Sequence, residues 1–165
     1  MLKAAVLYRR EFQQIKTTRR NSILLTGNPG SGKTHLLAAI ANELIAEDLE
    51  DVVYFPYAEG FDALRSDLEA SSEKIQVMKE CGVLFLDDLF KTRSGDRPTK
   101  YQLDVIYTVI NARYMSHRPL LVSTELSADD LLAIDEATAS RLIEMAKDYT
   151  VEIEGDPKTL NWRLI

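Results

Sequence analysis

GNPGSGKT, residues 27–34, is the stretch on which the fold turns. It sets Gly27 four intervening residues ahead of Gly32-Lys33-Thr34, the phosphate-loop pattern G-x-x-x-x-G-K-[ST]. The short apolar run before it, SILLT (22–26), reads as a strand ended by a breaker. The run after it, THLLAAIANELIAE (34–47), places Leu36, Leu37, Ile40 and Leu44 on one helical face. Gly27, Gly30 and Gly32 allow a tight turn in which successive backbone N–H groups point at phosphate oxygens, and the new helix adds its positive end. Lys33 would neutralise charge on the β and γ phosphates, and Thr34 offers a hydroxyl to Mg²⁺. The candidate nucleotide-binding loop thus runs from Gly27 to His35, with Asn28, Pro29 and Ser31 between the glycines. The plainer alternative is a glycine-rich strand–helix turn with no ligand.

A second stretch, VLFLDDLF (83–90), ends an apolar strand in two adjacent carboxylates, Asp87 and Asp88. Unpaired acids near a core are costly, so a positive partner is required. A magnesium ion shared with the phosphate loop supplies it. Asp87 would hold the metal with Thr34. Asp88, pointing the other way, would orient or deprotonate an attacking water; alternatively it caps the loop or pairs with Lys91.

The remaining elements alternate. DVVYF (51–55), PLLVST (119–124) and YTVEIEG (149–155) read as strands. Residues 61–80, with a break near Ser71-Ser72, and residues 101–117, 127–134 and 136–148 read as helices, the third N-capped by Ser127. Apolar strands without polar alternation, interleaved with helices, predict an α/β fold whose parallel sheet is covered on both faces. At 165 residues the chain is most simply one domain. We divide it into a helical N-terminal extension (1–20) and a core (21–165).

Composition narrows the function classes. The net charge of −6 weakens a dedicated DNA-binding reading relative to a nucleotide-binding one. The single cysteine, Cys81, excludes an internal disulfide and fits a reducing compartment. No apolar run approaches the roughly 18 residues of a membrane helix, and no signal-peptide pattern opens the chain, which predicts a cytoplasmic protein without membrane partners. His35 and His117 stand apart, so neither a zinc cluster nor a Ser-His-Asp arrangement is suggested.

The chain resembles the AAA+ ATPases, and among them the bacterial helicase loaders of the DnaC/DnaI type, with IstB-type transposase helpers close by. The resemblance rests on GNPGSGKTHLLAAIANEL (27–44), VLFLDDL (83–89), INARY (110–114), PLLVSTELS (119–127) and SRLIEM (140–145), and covers roughly residues 20–165. It implies a three-layer αβα P-loop sandwich with a five-stranded parallel sheet, in which PLLVST lies between the P-loop strand and the Asp87 strand. It implies a Mg²⁺-dependent ATPase binding ATP and ADP, self-assembling on ATP, and loading a replicative DNA helicase onto single-stranded DNA. A transposase is the alternative client.

Two more residues follow from the resemblance. Loaders show Ser or Thr followed by Asn at the end of this strand; here the residues are Ser123-Thr124-Glu125, so Thr124 is the sensor candidate. Arg141 stands where such proteins place an arginine finger acting on the neighbouring subunit's nucleotide, and Arg suits a phosphate through its planar fork. Its alternative is a helix-face pair with Glu136 or Glu144. A helical lid is expected to be absent or minimal, Arg163 is a poor second sensor, and residues 1–20 are too short for a helicase-binding domain.

The loop KTRSGDRPTK (91–100) offers Lys91, Arg93, Arg97 and Lys100, with Tyr101 adjacent, as a candidate single-strand contact; a solvated loop is the plainer reading. Arg113 is structural or interfacial. Two further function classes remain open: a small-molecule or nucleotide kinase, and a module that uses ATP only as an assembly switch.

Overall fold

The computed structural model describes residues 1–92 and 95–153. Five strands form its sheet: β1 (Ile23–Gly27), β2 (Val52–Pro56), β3 (Val83–Asp87), β4 (Leu120–Thr124) and β5 (Thr150–Ile153). Seven helices join them: α1 (Leu2–Ile15), α2 (Lys33–Ala46), α3 (Tyr57–Ser66), α4 (Leu68–Glu80), α5 (Lys100–Ser116), α6 (Ala128–Ile134) and α7 (Glu136–Met145). All strand pairs are parallel, in the order β2-β3-β4-β1-β5. β4 therefore separates the P-loop strand from the Asp87 strand, as the resemblance implied.

The period-two alternation of strand side chains divides the core in two. Leu24, Leu84, Leu86, Leu120 and Val122 face α3 to α7. Ile23, Leu25, Val83, Phe85 and Leu121 face α1 and α2. Both faces of β3 and β4 are thus buried, which is why these segments are apolar without interruption. The result is a three-layer α/β sandwich.

α1 is part of this packing: Tyr8 and Phe12 are fully buried, and the Tyr8 hydroxyl donates to the Asn21 carbonyl at 2.8 Å. The basic residues around α1 are tied down locally. Arg9 pairs with Glu43 of α2 and with Glu47 at its C-terminal cap, Arg20 pairs with Asp148, and the Arg19 guanidinium lies 3.9 Å from the Tyr114 ring centre.

One expected element is corrected. The chain between 57 and 80 breaks at Asp67, not near Ser71-Ser72. Asp67 is extended (φ −140°) and its carboxylate accepts the Ala70 N–H at 3.0 Å, so the acid caps α4 and ends α3 together. Ser127 caps α6 as expected, in a capping box with Asp130.

Arg113, on α5, is the largest fully buried side chain. It donates to the carbonyls of Met78 (2.9 Å), Cys81 (2.9 Å), Gly82 (3.0 Å) and Pro119 (2.7 Å). One guanidinium thereby satisfies the end of α4 and the entrances to β3 and β4. Its role among the described residues is structural. The same group sits 3.3 Å from the Cys81 sulfur, yet burial raises the thiol pKa, so Cys81 is a packing residue. The expected lid region, Arg163, and the last two residues of the expected final strand lie outside the described residues. No helix among the described residues is long and apolar enough to cross a membrane.

Candidate functional site

The P-loop leaves the end of β1 and enters α2 through Gly32, whose φ of +87° favours glycine. Gly27 (φ +121°) is equally constrained, since a Cβ there would meet the Ile153 carbonyl oxygen at 2.4 Å. Side chains cap α4, α5, α6 and α7. α2 has no side-chain cap and no acid in its first turn. Its first residues, Lys33 to His35, line the cleft, an arrangement suited to an anion.

Lys33 is buried, with its ammonium donating to the carbonyls of Gly27 (2.6 Å) and Asn28 (2.8 Å). Burial lowers its pKa against the pull of Glu125, Asp88 and Asp87. The Ser31 hydroxyl donates to the Asn28 carbonyl at 2.8 Å, bracing the loop. Pro29, Gly30, Ser31, Gly32, Lys33, Thr34 and His35 line a cleft of about 460 Å³. Its other wall is Asp88, Lys91 and Glu125.

Beside this cleft, three hydroxyls converge on the Asp87 carboxylate. Thr34 donates at 2.8 Å and Ser123 at 2.5 Å to one oxygen, and Tyr54 donates at 3.0 Å to the other. Asp87 is thus held by the P-loop, by β4 and by the edge strand β2. Burial, then the bond to Asp87, raises the Tyr54 pKa to about 12. Thr34 and Asp87 form an oxygen-donor pair of the kind Mg²⁺ takes from a protein when phosphates and water complete its shell. These two residues would hold such an ion.

Asp88 turns out of the strand with φ +53°. Its N–H donates to the Ser123 hydroxyl at 2.8 Å. Its carboxylate accepts from Lys91 at 3.2 Å, and Lys91 also donates to Glu125 at 2.5 Å. Burial works against the Lys91 charge, but Glu125 and Asp88 together outweigh it and raise the pKa. The pairing of Asp88 with Lys91, given above as the alternative to a role in activating water, is therefore present in the structure.

The sensor candidate behaves differently from its expectation. Thr124 is fully buried; its hydroxyl donates to the Leu89 carbonyl at 2.9 Å and accepts the Leu126 N–H at 3.2 Å. Both of these bonds stay within the backbone around β3 and β4. Ser123 is the residue of this strand that meets the acids. Sequence reasoning named Ser123 and Glu125 beside Thr124 but gave the role to Thr124, and it assigned no site role to Tyr54. Strand order was the signal for Ser123: with β3 beside β4 and Leu86 opposite Val122, Asp87 falls opposite Ser123.

Arg141 does not line this cleft. Its guanidinium carbon lies 5.5 Å and 5.6 Å from the ring centres of Tyr107 and Tyr114, and it donates to the Ala137 carbonyl at 2.5 Å. Glu144 is engaged by the Tyr114 hydroxyl at 2.7 Å. Of the loop cations, Lys91 is held by two acids, Lys100 pairs with Asp104 at 2.7 Å, and Arg97 is exposed. Arg93 lies outside the described residues.

The fold, an uncapped helix behind a glycine loop and a hydroxyl-ringed acid define a P-loop nucleoside-triphosphatase architecture. The chain belongs to the Novel STAND NTPase 3 family, whose match covers residues 8–154. It is 49% identical over 161 residues to the uncharacterized protein YqaM of Bacillus subtilis, covering 97% of this chain and 51% of that protein. It is 48% identical over 158 residues to the phage-like element PBSX protein XkdC of the same organism, covering 95% and 59%. The chain therefore spans a little over half the length of these relatives. It is also homologous to the B. subtilis replicative helicase loader DnaI, 34% identical over 120 residues (70% of this chain, 37% of DnaI).

Solved structures agree on the fold. The DnaC helicase loader superposes with a TM-score of 0.77 at 21% identity, covering 92% of this chain and 89% of that one. DnaI gives 0.70 at 26% identity (92% and 84%), and AMPPCP-bound DnaA from Aquifex aeolicus gives 0.69 at 22% (93% and 46%).

Proposed function

We propose that this chain is the ATPase unit of a helicase loader acting in the cytoplasm. It binds Mg·ATP between the Gly27–His35 loop and Asp87. It assembles head to tail through its nucleotide face, and hydrolysis is completed by Arg141 on the nucleotide of the next subunit. The cycle places a replicative helicase on single-stranded DNA, contacted by the 91–100 loop. The observation that carries this reading is the bond from Thr34 to Asp87 beneath the uncapped start of α2, which joins the phosphate loop to an acidic strand end. The name of the relative DnaI and the AMPPCP bound to the neighbour DnaA support it.

The chain's own groups divide the work. Backbone N–H groups of residues 30–34 and the Lys33 ammonium hold the phosphates. Thr34 and Asp87 would hold the metal, which would supply charge neutralisation along the phosphate chain. Asp88, once released by Lys91, accepts a hydrogen bond from a water molecule and orients it.

Calorimetry with a non-hydrolysable ATP analogue and Mg²⁺ tests the site: uptake is expected, and its absence overturns the reading. Turnover measured against protein concentration, with and without single-stranded DNA, tests assembly. Turnover that rises with concentration is expected for a finger acting in trans, whereas binding without turnover would favour ATP as an assembly switch. A pull-down with the same analogue is expected to recover a hexameric helicase; recovery of a transposase instead would reassign the client.

A further inference from the structure

Lys91 belongs to the nucleotide cleft by geometry, although no phosphate-binding pattern includes it. Its ammonium shares one wall with Asp88 and Glu125, facing the P-loop across about 460 Å³. Among the described residues lining this cleft, Lys33 and Lys91 are the two ammonium groups, set against two carboxylates. They differ in what holds them. Lys33 is buried on backbone carbonyls beneath the loop. Lys91 is half-exposed and rests on two side chains that are themselves partly solvated. Ion pairs at that exposure are weak and exchange readily for a better anion. A triphosphate is a better anion, because its terminal group carries more charge than one carboxylate and accepts charge-assisted bonds.

We propose that Lys91 is a specificity-determining residue that recognises the terminal phosphate, and that Glu125 is its resting partner, the two distinguishing a triphosphate from a diphosphate. The inference rests on the nucleotide-binding reading above. Without nucleotide, Lys91 stays on Glu125 and Asp88. With a triphosphate, the ammonium moves to the terminal phosphate and frees Asp88 for water. With a diphosphate, nothing draws it away. Because Lys91 also opens the 91–100 loop, the exchange carries the state of the cleft to that loop. The charge of Glu125 is what makes such an exchange available, since it gives the ammonium a second anionic partner to leave.

The test is affinity, not turnover. The intact chain and its Lys91→Ala, Lys91→Arg and Glu125→Gln variants are titrated by calorimetry with Mg²⁺ and either the non-hydrolysable ATP analogue or ADP. Loss of one charge-assisted bond, about 1.5–3 kcal/mol, corresponds to roughly a 10- to 150-fold weaker affinity. Lys91→Ala is expected to weaken analogue binding by that factor while ADP binding changes by less than about twofold. Lys91→Arg is expected to restore most of the preference. Glu125→Gln is expected to strengthen analogue binding severalfold, because the resting partner is weakened. Equal losses for analogue and ADP, or weaker analogue binding in Glu125→Gln, overturn the proposal. The unmodified chain separates the two readings: if it binds neither nucleotide the site assignment fails, whereas normal binding with an inert Lys91→Ala sinks only this inference.

Discussion

Thr34 and Asp87, 53 positions apart in the chain, meet hydroxyl to carboxylate at 2.8 Å. Neither residue could make this contact unless β3 ended level with the P-loop. One β4 strand between them sets that level, and the same two groups are the ones proposed to hold a divalent ion.

Asp87→Asn should therefore separate metal from nucleotide. Replacing the carboxylate removes the charge that favours Mg²⁺ but keeps a polar group for the three hydroxyls. Nucleotide titrations with and without Mg²⁺ should lose their difference, while affinity without metal stays within about threefold. An undiminished magnesium dependence would exclude Asp87 as the metal residue.

Tyr54→Phe probes the edge-strand hydroxyl. The Tyr54 pKa rises from 10.0 to about 12, so its protonated form is stabilised by folding. Its contribution is fully present below pH 10 and disappears as pH climbs through about 12. Stability differences between the chain and the variant, from urea melts, should be constant up to pH 10 and shrink toward zero by pH 12. A difference that grows over that interval would contradict the bond.

Arg113→Met removes the single group that satisfies the carbonyls of Met78, Cys81, Gly82 and Pro119. Leaving buried acceptors unpaired should lower unfolding free energy by about 3–5 kcal/mol, read from urea denaturation. Arg113→Lys should recover little, since a lone ammonium cannot span the fork. Full stability in either variant would mean that water replaces the guanidinium.

Arg141→Ala should leave nucleotide affinity of the isolated subunit unchanged, because the side chain lies against Tyr107 and Tyr114 away from its own cleft. Turnover of the assembled protein should fall by about 10³-fold or more. Mixing this variant with Lys33→Ala should restore part of the activity, since each supplies what the other lacks. No recovery on mixing would place the two residues in the same subunit's reaction.

The phosphate loop, the acid-ended strand, the Ser127 cap and the three-layer α/β class were legible in the sequence. Each depends on residues within one turn or one strand of one another. The spacing of glycines sets positive φ, an apolar run without alternation implies burial on both faces, and Ser127 sits next to the N–H groups it caps. Asp67 was less legible: an acid inside a helical pattern reads as surface, and its capping role emerges only where the backbone extends.

Tertiary structure alone decided which distant groups meet. The position of Ser123 opposite Asp87, the burial of Arg113 on carbonyls 31 to 35 residues away, and the sharing of Lys91 between Asp88 and Glu125 all depend on strand order and register. A side chain's neighbours in sequence define what it can do chemically. Its partners across the sheet decide which of those chemistries is used, because a parallel register joins residues that no local spacing relates.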